Sequence, residues 1–238
     1  MLIAIRSLIF TILLILSIAV MGIICLPMII NKNAARKTVQ LWARIALWLL
    51  HHIAGVKLHL EGKKNIPQSG AIIAANHQSM WETIALYALM PKPVMVLKKE
   101  LLNIPVYGWW ARGAGNVAID RQGGAKALRA MTRQTVEHIE TGEQVIVFPE
   151  GTRIPPGERA SIKPGVAGLY AATKTICVPV AHDSGRHWLH PGIKKIPGTI
   201  TMRILPPIQP GLDRKSFTEE LRGSLERARP DLEDQRHD

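Results

Sequence analysis

Between Ser7 and Asn31 the chain carries no charged side chain, and Leu, Ile, Val, Met and Phe dominate the run. About 20 apolar residues in a helix suffice to span a hydrocarbon core, so any fold of this chain must give the segment to lipid or bury it. Lys32, Arg36 and Lys37 follow at once, whereas Arg6 is the sole charged side chain before it. By the positive-inside rule that bias leaves the rest of the chain on the cytoplasmic face, with the plasma (inner) membrane as the expected location. Ser17-Ile18-Ala19 mimics a signal-peptide cleavage site, but the apolar run continues well past it and the leading charge is meagre. Pro27 and the cluster Asn31 to Asn33 place a turn, so the first helix either crosses the bilayer or dips into one leaflet and returns. Ala34 to Ala54 then reads as an amphipathic helix. Leu41, Ile45 and Leu49 repeat on one side, and Trp42 and Trp48 suit head-group depth or an ordinary core-facing helix.

Past Gly55 the pattern changes to short apolar runs separated by helical stretches. Val56, Leu58 and Leu60 alternate with Lys57 and His59, as in a half-exposed strand. Ala71 to Ala75 is continuously apolar, as buried strands are, and Val94 to Leu97, Val117 to Ile119, Val145 to Phe148 and Ile176 to Val180 look similar. Gly124 to Glu140 has helical spacing, with Ala127, Leu128, Met131, Thr135 and Ile139 on one face and Gly142 as a stop. Thr199 to Leu205 alternates as a late strand, and Ser216 with Glu219 offers a capping box for a last helix carrying Leu221 and Leu225. Strands alternating with helices predict an α/β fold, a mostly parallel sheet covered by helices, behind an N-terminal membrane-binding helix pair. The expected boundaries are a helical anchor at 1–54, an α/β domain at 55–229 and a polar tail at 230–238.

The 238 residues carry 30 Lys+Arg against 18 Asp+Glu, a formal net charge of +12. Such a balance favours anionic partners. Aromatics are only 5% and the cations are dispersed, so nucleic acid is not the expected partner. Cys25 and Cys177 have no metal-type spacing and form no disulfide framework.

Two motifs carry chemistry. In Asn76-His77-Gln78-Ser79-Met80-Trp81-Glu82 a histidine and a carboxylate follow an apolar run. In Phe148-Pro149-Glu150-Gly151-Thr152-Arg153 a glycine turn, a hydroxyl and an arginine follow another. Both fall beyond the carboxyl ends of expected strands, where open α/β sheets place ligands. Acyl transfer from a thioester to an alcohol needs a base, and histidine, with an ordinary pKa of about 6.5, suits it. A carboxylate on the other ring nitrogen fixes the tautomer and stabilises the imidazolium. His77 is thus the expected base and Glu82 its orienting partner, although Ser79 and Glu82 also satisfy a capping box at a helix start. Pro149 ends a strand ladder, Gly151 lets amides approach a ligand, Arg153 can hold phosphate bidentately and Thr152 adds a hydroxyl. Glu150 cannot favour an anion by charge; its expected work is anchoring an arginine or shaping the turn within the phosphate-binding group.

Together these strings resemble the glycerolipid acyltransferase family. The six residues from Phe148 to Arg153 match it completely; the first motif departs in carrying Glu82 where the family usually has Asp, one methylene shorter. Gly115 to Arg121 resembles the family's second block, with Ala118 where an aromatic is usual, and Val178-Pro179-Val180 resembles the fourth. The resemblance implies that Arg121 helps bind a glycerol phosphate, and Lys163 is placed to add a cation. It also implies a membrane-bound enzyme that moves a fatty acyl group from acyl carrier protein or coenzyme A to the sn-2 hydroxyl of 1-acylglycerol 3-phosphate. Phosphatidic acid would be the product. Membrane lipids and lysophosphatidic acid would be partners, with no cofactor beyond the acyl donor. Rival readings are another acceptor, such as glycerol 3-phosphate or a lyso-aminolipid, and a non-catalytic lipid binder.

Other signals are weaker. His182, His187 and His190 fall in an expected loop without acidic or cysteine partners at ligand spacing, so no metal is expected. Gly113-Ala114-Gly115 lacks the rest of a dinucleotide fingerprint, and no Gly-x-Ser-x-Gly elbow is present.

Overall fold

The structure is a computed structural model describing residues 1–120 and 122–233. Its helices are α1 (Leu2–Ile24), α2 (Lys32–Leu49), α3 (Trp81–Leu89), α4 (Tyr107–Gly113), α5 (Gly124–Glu140), α6 (Pro164–Thr173), α7 (Arg214–Ala228) and α8 (Pro230–Glu233). Its strands are β1 (Val56–Glu61), β2 (Ala71–Ala75), β3 (Pro93–Lys98), β4 (Val117–Ile119), β5 (Gln144–Val147), β6 (Cys177–His182) and β7 (Gly198–Ile204). They form one sheet in the order β1-β7-β6-β2-β5-β3-β4, parallel at every pairing except the antiparallel β6–β7.

The buried strands read as unbroken apolar runs because both faces of the sheet are covered. Ile73 and Ala75 of β2 point into one core with Trp81, Ile84 and Leu86 of α3 and Ala43, Ala46 and Phe10 from the N-terminal helices. Ile72 and Ala74 point into the other, with Met131, Leu169, Tyr170, Phe217 and Leu221 from α5, α6 and α7. The N-terminal segment is therefore part of one helical layer of the domain rather than an appendage outside it.

α1 is long and apolar enough to cross a membrane by length and composition. The domain nevertheless grips it near both ends. Arg6 Nε donates to Ile53 O at 2.5 Å, the Lys195 amide donates to Ser7 Oγ at 2.9 Å, and Phe10 meets Trp188 edge-on at 5.4 Å. At the far end Trp110 Nε1 donates to Gly22 O at 3.0 Å. Arg6 and Gly22 stand about 24 Å apart at 1.5 Å per helical residue, so the helix lies along the domain. Its other side exposes Leu8, Ile9, Ile12, Ile15, Leu16 and Val20. A short 3-10 turn, Leu26–Ile30, makes the corner, and the Asn31 side chain caps α2 by accepting from the amides of Asn33 and Ala34.

Two expectations need correction, and the open reading of α2 resolves. On α2 the buried face is Ala35, Arg36, Gln40, Ala43 and Ala46, while Leu41 and Trp48 are exposed. Small side chains let α2 approach the domain closely, with Trp42, Leu47 and Leu49 packed at the margins of that contact. Arg36 lies on that buried face, paired with Glu143 at 2.5 Å. The last helix begins at Arg214 and is capped by Asp213, whose carboxylate accepts from the amides of Lys215 and Ser216; Ser216 donates its hydroxyl to that cap instead of acting as one. The tail does not begin at Pro230 either. α8 carries buried Asp231 and Leu232, and residues 234–238 lie outside the described residues.

Candidate active site

β2 delivers His77 and β5 delivers Glu150 to the same edge because the two strands are parallel neighbours, Ala74 pairing with Val147. Asn76, fully buried, fixes the exit of β2. Its side-chain amide donates to His182 O at 3.0 Å and accepts from the His182 amide at 2.9 Å. The His182 ring donates from Nε2 to Asn76 O at 2.7 Å, and burial pushes its pKa down, so it is a neutral structural strut. It is also the last residue of β6, not part of a loop.

His77 Nδ1 lies 2.6 Å from Glu82 Oε1, and Glu82 is completely buried. The same oxygen accepts from the amides of Gln78 and Ser79, each at 2.9 Å, so the capping role and the histidine contact coexist in one carboxylate. Its second oxygen accepts the hydroxyls of Ser79 and Ser184, each at 2.7 Å. Burial raises the pKa of Glu82, but His182, His77 and the Ser79 amide outweigh it and bring it to about 2. An ionised Glu82 puts the His77 proton on Nδ1 and leaves Nε2 with its lone pair. The ring stacks on Phe148 with centroids 4.3 Å apart.

The second motif wraps around the first. Gly151 has φ +71°, in the left-handed region that favours glycine, and its amide closes a turn onto Phe148 O at 3.0 Å. Ile154 N–H donates to His77 O at 2.8 Å, and Arg153 Nε donates to Ser79 O at 3.2 Å. Thr152 is exposed on this turn. Lys163 is exposed too and is tied in by its amide, which donates to Pro149 O at 2.8 Å. Glu150 departs from the phosphate group. It is buried, accepts from the His77 amide at 2.6 Å, and burial pushes its pKa up to about 7. It shapes the histidine loop. Arg121 lies outside the described residues.

The sequence motifs do not reveal two supports. Ser184 arrives from beyond β6, and Asp231 of α8 accepts from Gln78 Nε2 at 2.9 Å, from the Gly157 amide at 2.8 Å and from Arg229 at 2.6 Å. Starting at Met80, three residues along the chain from His77, an apolar cavity of about 160 Å³ runs past Thr83 to Trp42 of α2, Gly22 of α1 and Trp110 of α4.

Comparison with known proteins agrees with this geometry. The family model for Acyltransferase matches residues 57–183. A 1-acyl-sn-glycerol-3-phosphate acyltransferase of Pseudomonas aeruginosa is 36% identical over 206 residues, 85% of this chain and 80% of its own. A 1-acyl-sn-glycerol-3-phosphate acyltransferase alpha of Mus musculus is 26% identical over 170 residues, 69% of this chain and 60% of its own. The crystal structure of the 1-acyl-sn-glycerophosphate acyltransferase from Thermotoga maritima shares the fold, with a TM-score of 0.76 over 96% of this chain and 97% of that one, at 23% identity. On the family match across the chemistry-bearing motifs and the close relative over most of the chain, this protein belongs to the acyltransferase family.

Proposed function

We propose that the protein transfers a fatty acyl group from a thioester to the sn-2 hydroxyl of 1-acyl-sn-glycerol 3-phosphate, giving phosphatidic acid. The observation that carries this reading is the His77 Nδ1–Glu82 contact at 2.6 Å, with Arg153 on the loop hydrogen-bonded to the same turn. Nε2 of His77 takes the proton of the acceptor hydroxyl as its oxygen attacks the thioester carbonyl. The tetrahedral intermediate expels the thiolate, and the imidazolium returns the proton to the leaving sulfur. Glu82 stays ionised throughout and stabilises the imidazolium. Arg153, with Thr152 and Lys163 beside it and Arg121 as a further cation, holds the acceptor phosphate.

The apolar cavity between α1, α2 and α4 takes acyl chain, and the outward apolar stripe of α1 seats the protein in one leaflet of the inner membrane, with the catalytic edge on the cytoplasmic side. The grip of the domain on both ends of α1 supports lying in a leaflet over crossing the bilayer. Acyl carrier protein and coenzyme A are both anionic donors suited to a net charge of +12. The test is thioester-dependent acylation of lysophosphatidate by purified, detergent-solubilised protein, beside His77→Ala. Loss of turnover in a variant that melts normally is expected; retained turnover would remove His77 from the mechanism. Arg153→Ala is expected to raise the acceptor KM, and an unchanged KM would overturn its phosphate role.

A further inference from the structure

A second opening shares no lining residue with the apolar cavity. It is a slot of about 450 Å³ between the segment Ile154 to Pro156 and the segment Gly185 to Pro191, and Gln78 and Arg153 line its inner end. The Gln78 side chain is already committed, donating to Asp231 and accepting from the Gly185 amide at 3.0 Å, so it forms a fixed floor. The opposite wall adds Arg186 and exposed His190. Arg153 Nη1 stands 3.3 Å from both ring nitrogens of His190. None of the sequence motifs includes Arg186 or His190.

We propose that His190 is a second phosphate ligand beside Arg153, the two closing this slot on the glycerol phosphate of the acceptor. The inference rests on the acyl-transfer reading for the identity of the acceptor. Three observations converge on it. The inner end of the slot is lined by Gln78, the residue after His77, and by Arg153, so a phosphate held there brings the acceptor head group to the His77 turn. Its walls add the half-buried side chains of Ile154 and Leu189, a partly apolar setting for charge-assisted hydrogen bonds to a phosphate. Finally, the His190 ring is close enough to Arg153 to share one anion with it. Desolvation and the charges of Arg153 and His77 hold the His190 pKa below its usual value, with Glu82 opposing them. A phosphate dianion between His190 and Arg153 reverses that balance, so binding takes up a proton. Arg186 adds a guanidinium to the same wall.

The experiment uses the full chain in detergent, with glycerol 3-phosphate as the probe in calorimetry and lysophosphatidate as the acceptor in kinetics. His190→Gln is expected to weaken glycerol 3-phosphate binding about tenfold. Leu189→Trp, which fills the slot from a half-buried position, is expected to abolish it. At pH 7.5, above the second phosphate pKa of about 6, the wild type takes up a proton on binding, seen as a heat that varies with the buffer, and His190→Gln does not. In turnover both variants raise the acceptor KM and leave the donor KM unchanged. Wild-type affinity in His190→Gln, or a rise confined to the donor KM, overturns the proposal; the latter would assign the slot to the phosphate of the donor's pantetheine arm. If the wild type binds glycerol 3-phosphate through His190 but transfers no acyl group, the slot stands and the acyl-transfer reading fails.

Discussion

Two histidine–glutamate pairs with the same separation along the chain stand at opposite edges of one sheet. His77 meets Glu82 beyond the carboxyl end of β2, and His138 Nδ1 meets Glu143 at the amino end of β5, where Ala71 pairs with Gln144. Both glutamates are buried, and the pKa of each falls to about 2 although burial alone would raise it. The difference lies in what else each carboxylate holds. Glu143 also accepts from Arg36 at 2.5 Å and from Lys32 at 3.0 Å. Its charge is already compensated, and its work is to pin the start of α2 to the sheet. Glu82 is held by two amides and two hydroxyls, all neutral. In the proposed mechanism its charge serves the imidazolium that forms on His77. A histidine and a carboxylate at a given spacing do not by themselves make a base; the surrounding charge and the strand end on which they sit decide it.

The largest effect should separate the two histidines. His77→Ala is expected to lower kcat by about 10²–10⁴-fold, the range of a lost general base, while His138→Ala stays within about twofold of wild type. Initial rates with saturating donor and acceptor measure both. Comparable losses from the two variants would erase the functional distinction between the pairs.

Stability should invert that order. Glu143→Ala strands the Arg36 guanidinium, which is 3% exposed. Breaking a buried pair in this way costs about 3–5 kcal/mol. Urea denaturation is expected to show that loss, with activity per folded molecule retained. Normal stability in Glu143→Ala would mean that α2 is held by its alanine face alone.

A third buried carboxylate sharpens the contrast through pH. Glu82 and Glu143 have lowered pKa values, so the stability they supply is present above about pH 4.5 and is lost as pH falls toward about 2. Glu150 runs the other way. Its pKa rises from 4.5 to about 7, so its favourable contribution is present below pH 4.5 and is lost as pH rises through about 7. At about 1.4 kcal/mol per pH unit, ionising it in place costs up to about 3 kcal/mol. Glu150→Gln, neutral and of the same shape, is expected to raise Tm at pH 8 and change it little at pH 4.5. An equal shift at both values would show that Glu150 does not titrate in this window.

How far the sequence carried depends on the range of the interaction. The helix Gly124–Glu140 and the strand Ala71–Ala75 were legible to the residue, because periodicity and an unbroken apolar run are local signals. The faces of α2 stayed open between lipid and core, since large apolar residues suit either; in the fold Leu41 and Trp48 face outward while Trp42 and Leu49 pack against the domain. His77, Glu82 and the loop to Arg153 were legible as motifs. Ser184 was not, because it reaches Glu82 across 102 residues, and neither was Asp231, which reaches Gln78 across 153. No local pattern encodes such contacts.

Ser184 offers the smallest effect and the finest test of what distinguishes the two pairs. Glu82 has two oxygens to satisfy and no water-facing surface of its own. One is taken by His77 and the amides of Gln78 and Ser79. The other depends on the hydroxyls of Ser79 and Ser184, which also stand 2.9 Å from each other. Ser184→Ala removes one of those donors and lets the carboxylate rotate off the His77 axis. A neutral donor to a charged acceptor contributes about 1.5 kcal/mol or more, of which the part felt at His77 should lower kcat about fivefold with the acceptor KM unchanged. Because Ser184 acts only through the carboxylate, the same change in a Glu82→Gln background should cost nothing further. An equal cost in both backgrounds would mean that Ser184 supports the fold of the β6 exit rather than the orientation of Glu82, and neutral donors would then not be what sets the catalytic pair apart from its structural counterpart.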